Sequence, residues 1–432
     1  MKFPGKRKTK HYFPVSEDSR IPLERDLVAR NRVYTVGIDQ LIVDIEAHVD
    51  EEYLATYGLI KGESQIADSD LVESIYQELK ESQKIVGEFA GGSTGNTLHN
   101  YAVLSDDDCV ALGAINRNIQ VGDYAYKYIC TTNSHVDLSY LKPCDGPMAR
   151  AMCLITPDKE RTFVIGKGIM NELSPDYIPE EVISGASSLL ISTYLLRDHG
   201  SPIFQATMKA VKVARKANVP VVLSLGTAGI IRENREFLLE FLKNDISIMA
   251  GNEEEVSFLM GEEDALLALN KALDFTDMVL LTVGKSGLYL GGHCDEELVR
   301  ETKDSLHSKS IPNYNLHEYS RAMPKEFCEN PLKIFTHINP FLGGPGKIEN
   351  TNGAGDAALS AVLHDISSNS YHKLMVPNSP KHKTPFLTYS SLHQVAKYAN
   401  RASFEVLNQN SPRLSKGLPE KEDSLEESYW EL

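Results

Sequence analysis

The segment Asn350-Thr351-Asn352-Gly353-Ala354-Gly355-Asp356 runs directly into the apolar stretch 357–363. A glycine turn that ends in an acid and enters a helix aims several backbone N–H groups at one spot and sets a carboxylate beside it. Those N–H groups and the helix dipole favour an anion there. The carboxylate can take a proton from a hydroxyl held nearby. Phosphoryl transfer needs both features: a cradle for charge on the moving phosphoryl group, and a base for the acceptor alcohol. Asp356 is the candidate base, expected to stay ionised at a helix start. Gly353, Ala354 and Gly355 are the candidate cradle.

Three further clusters fall where a strand ends or a helix begins. Gly91-Gly92-Ser93-Thr94-Gly95-Asn96 offers close backbone approach at Gly92 and a donor–acceptor amide at Asn96, suited to sugar hydroxyls; a plain turn and helix cap would read the same way. Asn252-Glu253-Glu254-Glu255 follows an apolar strand. Acids there can hold hydrated Mg²⁺, and an Asn N-cap with acids in the first turn is the equal alternative. Thr282-Val283-Gly284-Lys285-Ser286-Gly287 lacks the spacing of a Walker loop. Its glycines can admit a phosphate to the backbone, or simply turn a hairpin.

The elements that must position these clusters follow from periodicity. A strand is read at 33–38, with β-friendly residues continuing over 42–49. Asp70 is read as the cap of a helix with Leu71, Ile75 and Leu79 on one face. Residues 149–155 and 161–165 flank the turn Pro157-Asp158-Lys159-Glu160, a hairpin suited to a flap. From about residue 175 strands and helices alternate, which predicts an α/β fold with a central, mostly parallel sheet and helices on both faces. Ligands of such sheets sit at the carboxyl ends of the strands. The reading divides the chain into an arm (1–32), a main domain (33–408) with lid segments near 40–66 and 145–168, a surface insertion (292–345), and a polar tail (409–432).

Composition excludes other classes. The chain has 432 residues, 42% hydrophobic and 24% charged, as in ordinary globular proteins. No apolar run approaches the roughly 20 residues of a membrane span. A net charge of −16 disfavours nucleic acid and anionic membranes as partners. The basic residues Lys2, Lys6, Arg7, Lys8 and Lys10 and the acidic end near 420–427 are read as solvated. Six cysteines without a C-x-x-C pair suggest reduced thiols in a cytoplasmic protein. Thirteen histidines show no metal-binding spacing.

Four motifs in this order resemble the ribokinase-like, or phosphofructokinase-B, family of sugar and nucleoside kinases, over roughly residues 33–408. Residues 91–96 resemble its first signature. Asn252 and Glu255 match its N-x-x-E element, which implies Mg²⁺ held through water at Glu255. Thr282, Gly284 and Gly287 match its T-x-G-x-x-G nucleotide segment. Residues 350–356 match D-T-x-G-A-G-D, with Asp356 in the position of the base. Arg161-Thr162-Phe163 resembles the lid hairpin and implies a substrate contact at Arg161. The family's leading Asp is Asn350 here, which removes a charge that could serve hydrated Mg²⁺; Glu349 lies beside it. The resemblance further implies a carboxylate on the sugar hydroxyls. Asp44 is the favoured match and Asp39 the rival. ATP and Mg²⁺ are the implied co-substrate and metal. The opening MKFPGKRK, the insertion and the end of the chain resemble the branch acting on purine ribonucleosides, implying inosine and guanosine as acceptors of a 5′-phosphate. A sugar kinase and a silent nucleoside-binding regulator are the alternatives, and a homo-oligomer is left open.

Overall fold

The computed structural model describes residues 33–418 apart from 106, 122, 159 and 303–308. The expected arm, its basic residues and the acidic end near 420–427 lie outside the described residues.

The chain opens with β1 (Thr35–Ile38) and β2 (Ile42–His48). Helix α1 (Glu51–Thr56), β3 (Ser64–Ala67), α2 (Ser69–Glu81) and β4 (Ile85–Ala90) lead to α3 (Ser93–Ser105). Next come β5 (Cys109–Leu112), β6 (Ala114–Asn116), α4 (Tyr124–Thr131), β7 (Val136–Asp137) and β8 (Lys142–Cys144). A hairpin of β9 (Ala149–Ile155) and β10 (Arg161–Gly166) follows. The strand–helix alternation then runs through α5 (Glu180–Ser184), β11 (Ser188–Ser192), α6 (Pro202–Lys216), β12 (Val221–Ser224), α7 (Ala228–Asp245) and β13 (Ile248–Asn252). It continues with α8 (Glu253–Met260), α9 (Ala265–Ala272) and β14 (Met278–Thr282). β15 (Leu288–Asp295), β16 (Pro331–Ile338), α10 (Ala354–Met375) and α11 (Leu392–Leu407) complete the fold.

Nine strands form the large sheet in the order β16-β15-β14-β13-β12-β11-β1-β5-β7. It is parallel except for β15 and β16, which pair antiparallel at one edge. Successive residues of a strand point to opposite faces, so each strand feeds two cores. Val36, Leu189, Val221 and Leu223 join the core with α6 to α9. Leu190, Val222, Ile248 and Leu280 join the one with α3, α10 and α11. Each such side chain contributes about 1.5–3 kcal/mol by leaving water. Burial on both faces is why these strands read as unbroken apolar runs.

A second sheet of five strands, β3-β10-β9-β2-β4, sits beside the first. One face packs on α2, with Val72, Ile75 and Leu79 against Ile45, Leu154 and Val164. It draws on β4 as well as the segments expected to form a lid. Asp68, not Asp70, precedes α2; Asp70 lies in its first turn.

The segment 292–345 differs from the expected surface insertion. β16 completes the large sheet, and its Ile334, Phe335 and Thr336 are buried. An edge strand paired on one side only, and carrying Lys333 and His337, shows no clear apolar run. The polar tail also differs. Arg413 and Leu414 are buried against α3. Among the described residues no helix is long and apolar enough to cross a membrane.

Candidate active site

The carboxyl ends of β1 and β11 to β14 open into a cavity of about 1210 Å³. That exceeds the roughly 300–1,000 Å³ of a typical single-ligand pocket. One end is roofed by the small sheet. Alternation along β2 sends Val43 and Ile45 into that sheet's own core and Ile42 and Asp44 into the cavity. β10 does the same, burying Val164 and presenting Phe163 and Ile165. With Ile66 and Ala151 they form an apolar slot above Asp39 and Asp44. The other end is lined by Thr282, Gly284, Lys285 and Gly287, and by Pro340, Phe341 and Phe404.

Asp356 lies between these ends, in the first turn of α10. Gly353 caps that helix with φ +79°, a conformation glycine adopts without a Cβ penalty. The first intrahelical bond runs from Ala357 N–H to Gly353 O, at 2.9 Å. The N–H groups of Ala354, Gly355 and Asp356 therefore precede the helical ladder and are available at its positive end. Ser93 Oγ donates to Asp356 Oδ1 at 2.6 Å, and Asn96 Nδ2 donates to Oδ2 at 3.3 Å. Burial lifts the Asp356 carboxyl to about 6, against the pull of Ser93, Asn96 and Arg413. Dehydration outweighs the donors, yet the group is still mostly ionised at neutral pH, in line with an acid at a helix start.

Asp39 and Asp44 both reach the cavity. The glycine pair Gly91–Gly92 makes room for them: a Cβ at Gly91 would run into the Asp44 carboxylate, and one at Gly92 would lie 2.5 Å from Asp39 Oδ2. Asp39 Oδ2 is buried and has no hydrogen-bond partner among the described residues. Burial lifts both carboxyls to about 7, and Arg413 pulls each back.

Asn252 and Glu255 form a reciprocal capping box at the start of α8, with bonds of 2.9 Å each way. Both also line the cavity, so the capping and ligand readings describe the same residues. Burial lifts the Glu255 carboxyl to about 7. Arg161 sits at the lid's edge, where Nη1 donates to Asn352 Oδ1 at 3.5 Å. Asn350 is placed elsewhere. It is 4% exposed, donates to Asn410 O at 2.8 Å and accepts from Asn352 N–H at 2.9 Å. Its side chain braces the loop and is absent from the cavity lining, which does not support a place for it beside Mg²⁺. Glu349 pairs instead with Lys347 at 2.7 Å. Among the described residues no three His, Cys, Asp or Glu side chains converge as a metal site. A single acid beside a carboxamide suits an ion that keeps most of its water.

Ser93 and Arg413 escaped the sequence reading. Ser93 was inside a quoted motif, and its place one residue after the glycine pair was the available signal. Arg413 had none, since it lies in the polar stretch after the last helix.

The chain matches the pfkB family carbohydrate kinase model over residues 52–305. It is 54% identical to the guanosine-inosine kinase of Escherichia coli (strain K12) over 435 aligned residues, covering all of both chains. The chain belongs to the pfkB family of carbohydrate kinases. Among solved structures, adenosine kinase from Sinorhizobium meliloti superimposes with a TM-score of 0.64, at 21% identity over 90% of this chain and 97% of that one. A probable sugar kinase from Rhizobium etli CFN 42 gives 0.63 at 19% identity, over 92% and 99%. Both likenesses are of fold.

Proposed function

We propose that the protein transfers the γ-phosphoryl group of ATP to the 5′-hydroxyl of a purine ribonucleoside, with inosine and guanosine as the acceptors. The observation that carries this reading is the position of Asp356. It stands at a helix start between an apolar slot with two carboxylates and a second, glycine-lined end of the same cavity. Full-length identity of 54% to a guanosine-inosine kinase supports the choice of acceptor.

Asp39 and Asp44 accept hydrogen bonds from the ribose hydroxyls, with Asn96 and the Gly92 backbone beside them. The apolar slot of Phe163, Ile165 and Ile66 takes the base. Asp356 receives the 5′-proton, and a modest base suffices because phosphoryl transfer proceeds through a loose transition state. The N–H groups of Ala354 and Gly355, ahead of the helical ladder, face the charge on the transferred group, and Gly353 turns the loop that presents them. Thr282, Gly284 and Gly287 admit the nucleotide, with Asn252 nearby. Glu255 would hold Mg²⁺ through water, and the ion would supply charge neutralisation on the triphosphate. Arg161, bonded to Asn352, ties the lid to the signature loop and helps exclude water.

A coupled ADP-release assay over inosine, guanosine, adenosine, ribose and fructose, with and without Mg²⁺, tests this reading. ADP release with inosine and guanosine and a nucleoside monophosphate product is expected. Turnover on ribose or fructose alone would replace it with a sugar kinase.

A further inference from the structure

Arg413 arrives at the site from outside the folded alternation of strands and helices. The strap that carries it is fastened along α3 and the signature loop. Asn350 Nδ2 donates to Asn410 O, Asn100 Nδ2 to Pro412 O at 3.3 Å, and Leu414 N–H to Asn100 Oδ1 at 2.7 Å. His99 Nε2 meets Leu414 O at 3.0 Å. The Arg413 side chain then passes under the cavity floor, where the residue is 6% exposed. Nε donates to Asn96 Oδ1 at 3.0 Å, Nη1 to Thr132 Oγ1 at 2.9 Å and Nη2 to Gly91 O at 3.4 Å. The guanidinium lies 5.0 Å from the centre of the Tyr128 ring.

All three of these acceptors are neutral, and among the described residues Arg413 forms no ion pair within 4 Å. A buried guanidinium with only neutral partners is costly unless negative charge lies close by. That charge is present. A point at the Cβ position of Gly95 would be 2.6 Å from Asp39 Oδ2 and 3.1 Å from Arg413 Nη2. Asp356 is one residue further along the chain of bonds, through Asn96. Asp44 stands across Gly91, whose carbonyl Arg413 holds.

We infer that Arg413 is a positioning residue of the transfer site, fixing Asn96 and the Gly91 carbonyl while presenting one shared positive charge to Asp39, Asp44 and Asp356. The inference rests on the nucleoside kinase reading above. Because the charge is committed to no single carboxylate, it serves all three. Arg413 acts against burial at each of them. The other titratable groups around it are Tyr128, whose hydroxyl burial and Asp39 push upward, and His99, which burial and Arg413 itself hold down at about 4 and so neutral. Neither competes as a cation near neutral pH.

The test compares Arg413→Gln, which loses the charge, with Arg413→Lys, which keeps it. The readouts are the pH profile of kcat/KM for inosine and thermal unfolding of each variant. With the charge gone, the acid limb of the profile should move up by about one to two pH units. In the Lys variant the limb should stay in place while turnover falls, because one ammonium cannot reproduce the three-way fork. If the Gln variant does not fold, Arg413→Ala with added guanidinium takes its place, and restoration of activity by guanidinium is the expected result. A Gln variant that loses activity and Tm without moving the limb would make Arg413 a brace only and overturn the inference. Failure of the nucleoside reading would look different, as wild-type protein that releases no ADP with inosine.

Discussion

Ser93 Oγ and Asp356 Oδ1 lie 2.6 Å apart although 263 positions separate them in the chain. The bond joins the first residue of α3 to the first turn of α10, so the two glycine-rich motifs meet at one carboxylate. A hydrogen bond to a charged acceptor is worth about 1.5–3 kcal/mol. It favours the ionised acid. Ser93→Ala should lower kcat about tenfold at neutral pH and move the acid limb of the kcat profile upward. Unchanged kcat with an unchanged profile would show that the bond does not matter to turnover.

The buried carboxyls also set an opposition between stability and activity. Folding raises Asp39 and Asp44 to about 7 and Asp356 to about 6, above their values in an unfolded chain. Between about pH 4 and 7 the folded state therefore binds more protons at these groups than the unfolded state does. Their contribution to stability falls as pH rises through that window. Asp39→Asn, which removes one buried charge, should stabilise the unliganded protein at pH 7.5 by on the order of 1–3 kcal/mol while weakening nucleoside binding. Differential scanning calorimetry at pH 5 and pH 7.5 checks it. A variant less stable than wild type at pH 7.5 would contradict the assignment.

Gly353 links the signature loop to the strap. Its φ is +79°, and a Cβ there would lie 2.5 Å from Pro412 O. Gly353→Ala meets both penalties at once and should cost about 1–3 kcal/mol. It should also lower kcat/KM, since the strap that must shift is the one carrying Arg413. Urea unfolding and steady-state kinetics on the same preparation check the coupling. Loss of stability with normal kinetics would uncouple strap and site.

Much of the site was legible in the sequence because its chemistry is local. The loop from Gly353 to Asp356 must turn, expose N–H groups and present an acid within a few residues, and those demands leave a recognisable string. The helix Leu392–Leu407 and the strands β11 to β14 were legible for a different reason: burial on one or both faces imposes a period. What stayed hidden depends on distant partners. Arg413 sits in a polar stretch whose order comes from distant partners, Asn100, His99 and Asn350, and from Leu414 seated in the core beside α3. β16 is an edge strand, and β4 carries Gly87 and Glu88 in a half-exposed sheet, so neither shows a strong alternation. The direction of the Asn350 side chain was not legible, because a motif fixes the order of residues, whereas the direction of a side chain depends on the neighbours that compete for it. Here Asn410 won.

The most direct test is the turnover number of Asp356→Asn, measured with inosine and ATP alongside equilibrium binding of each. The variant keeps the shape of the side chain and can still accept from Ser93 or Asn96. kcat should fall by about 10² to 10⁴-fold while both ligands bind within a few-fold of wild type. Turnover near the wild-type value, with binding intact, would show that the acid at the head of α10 takes no proton in the reaction.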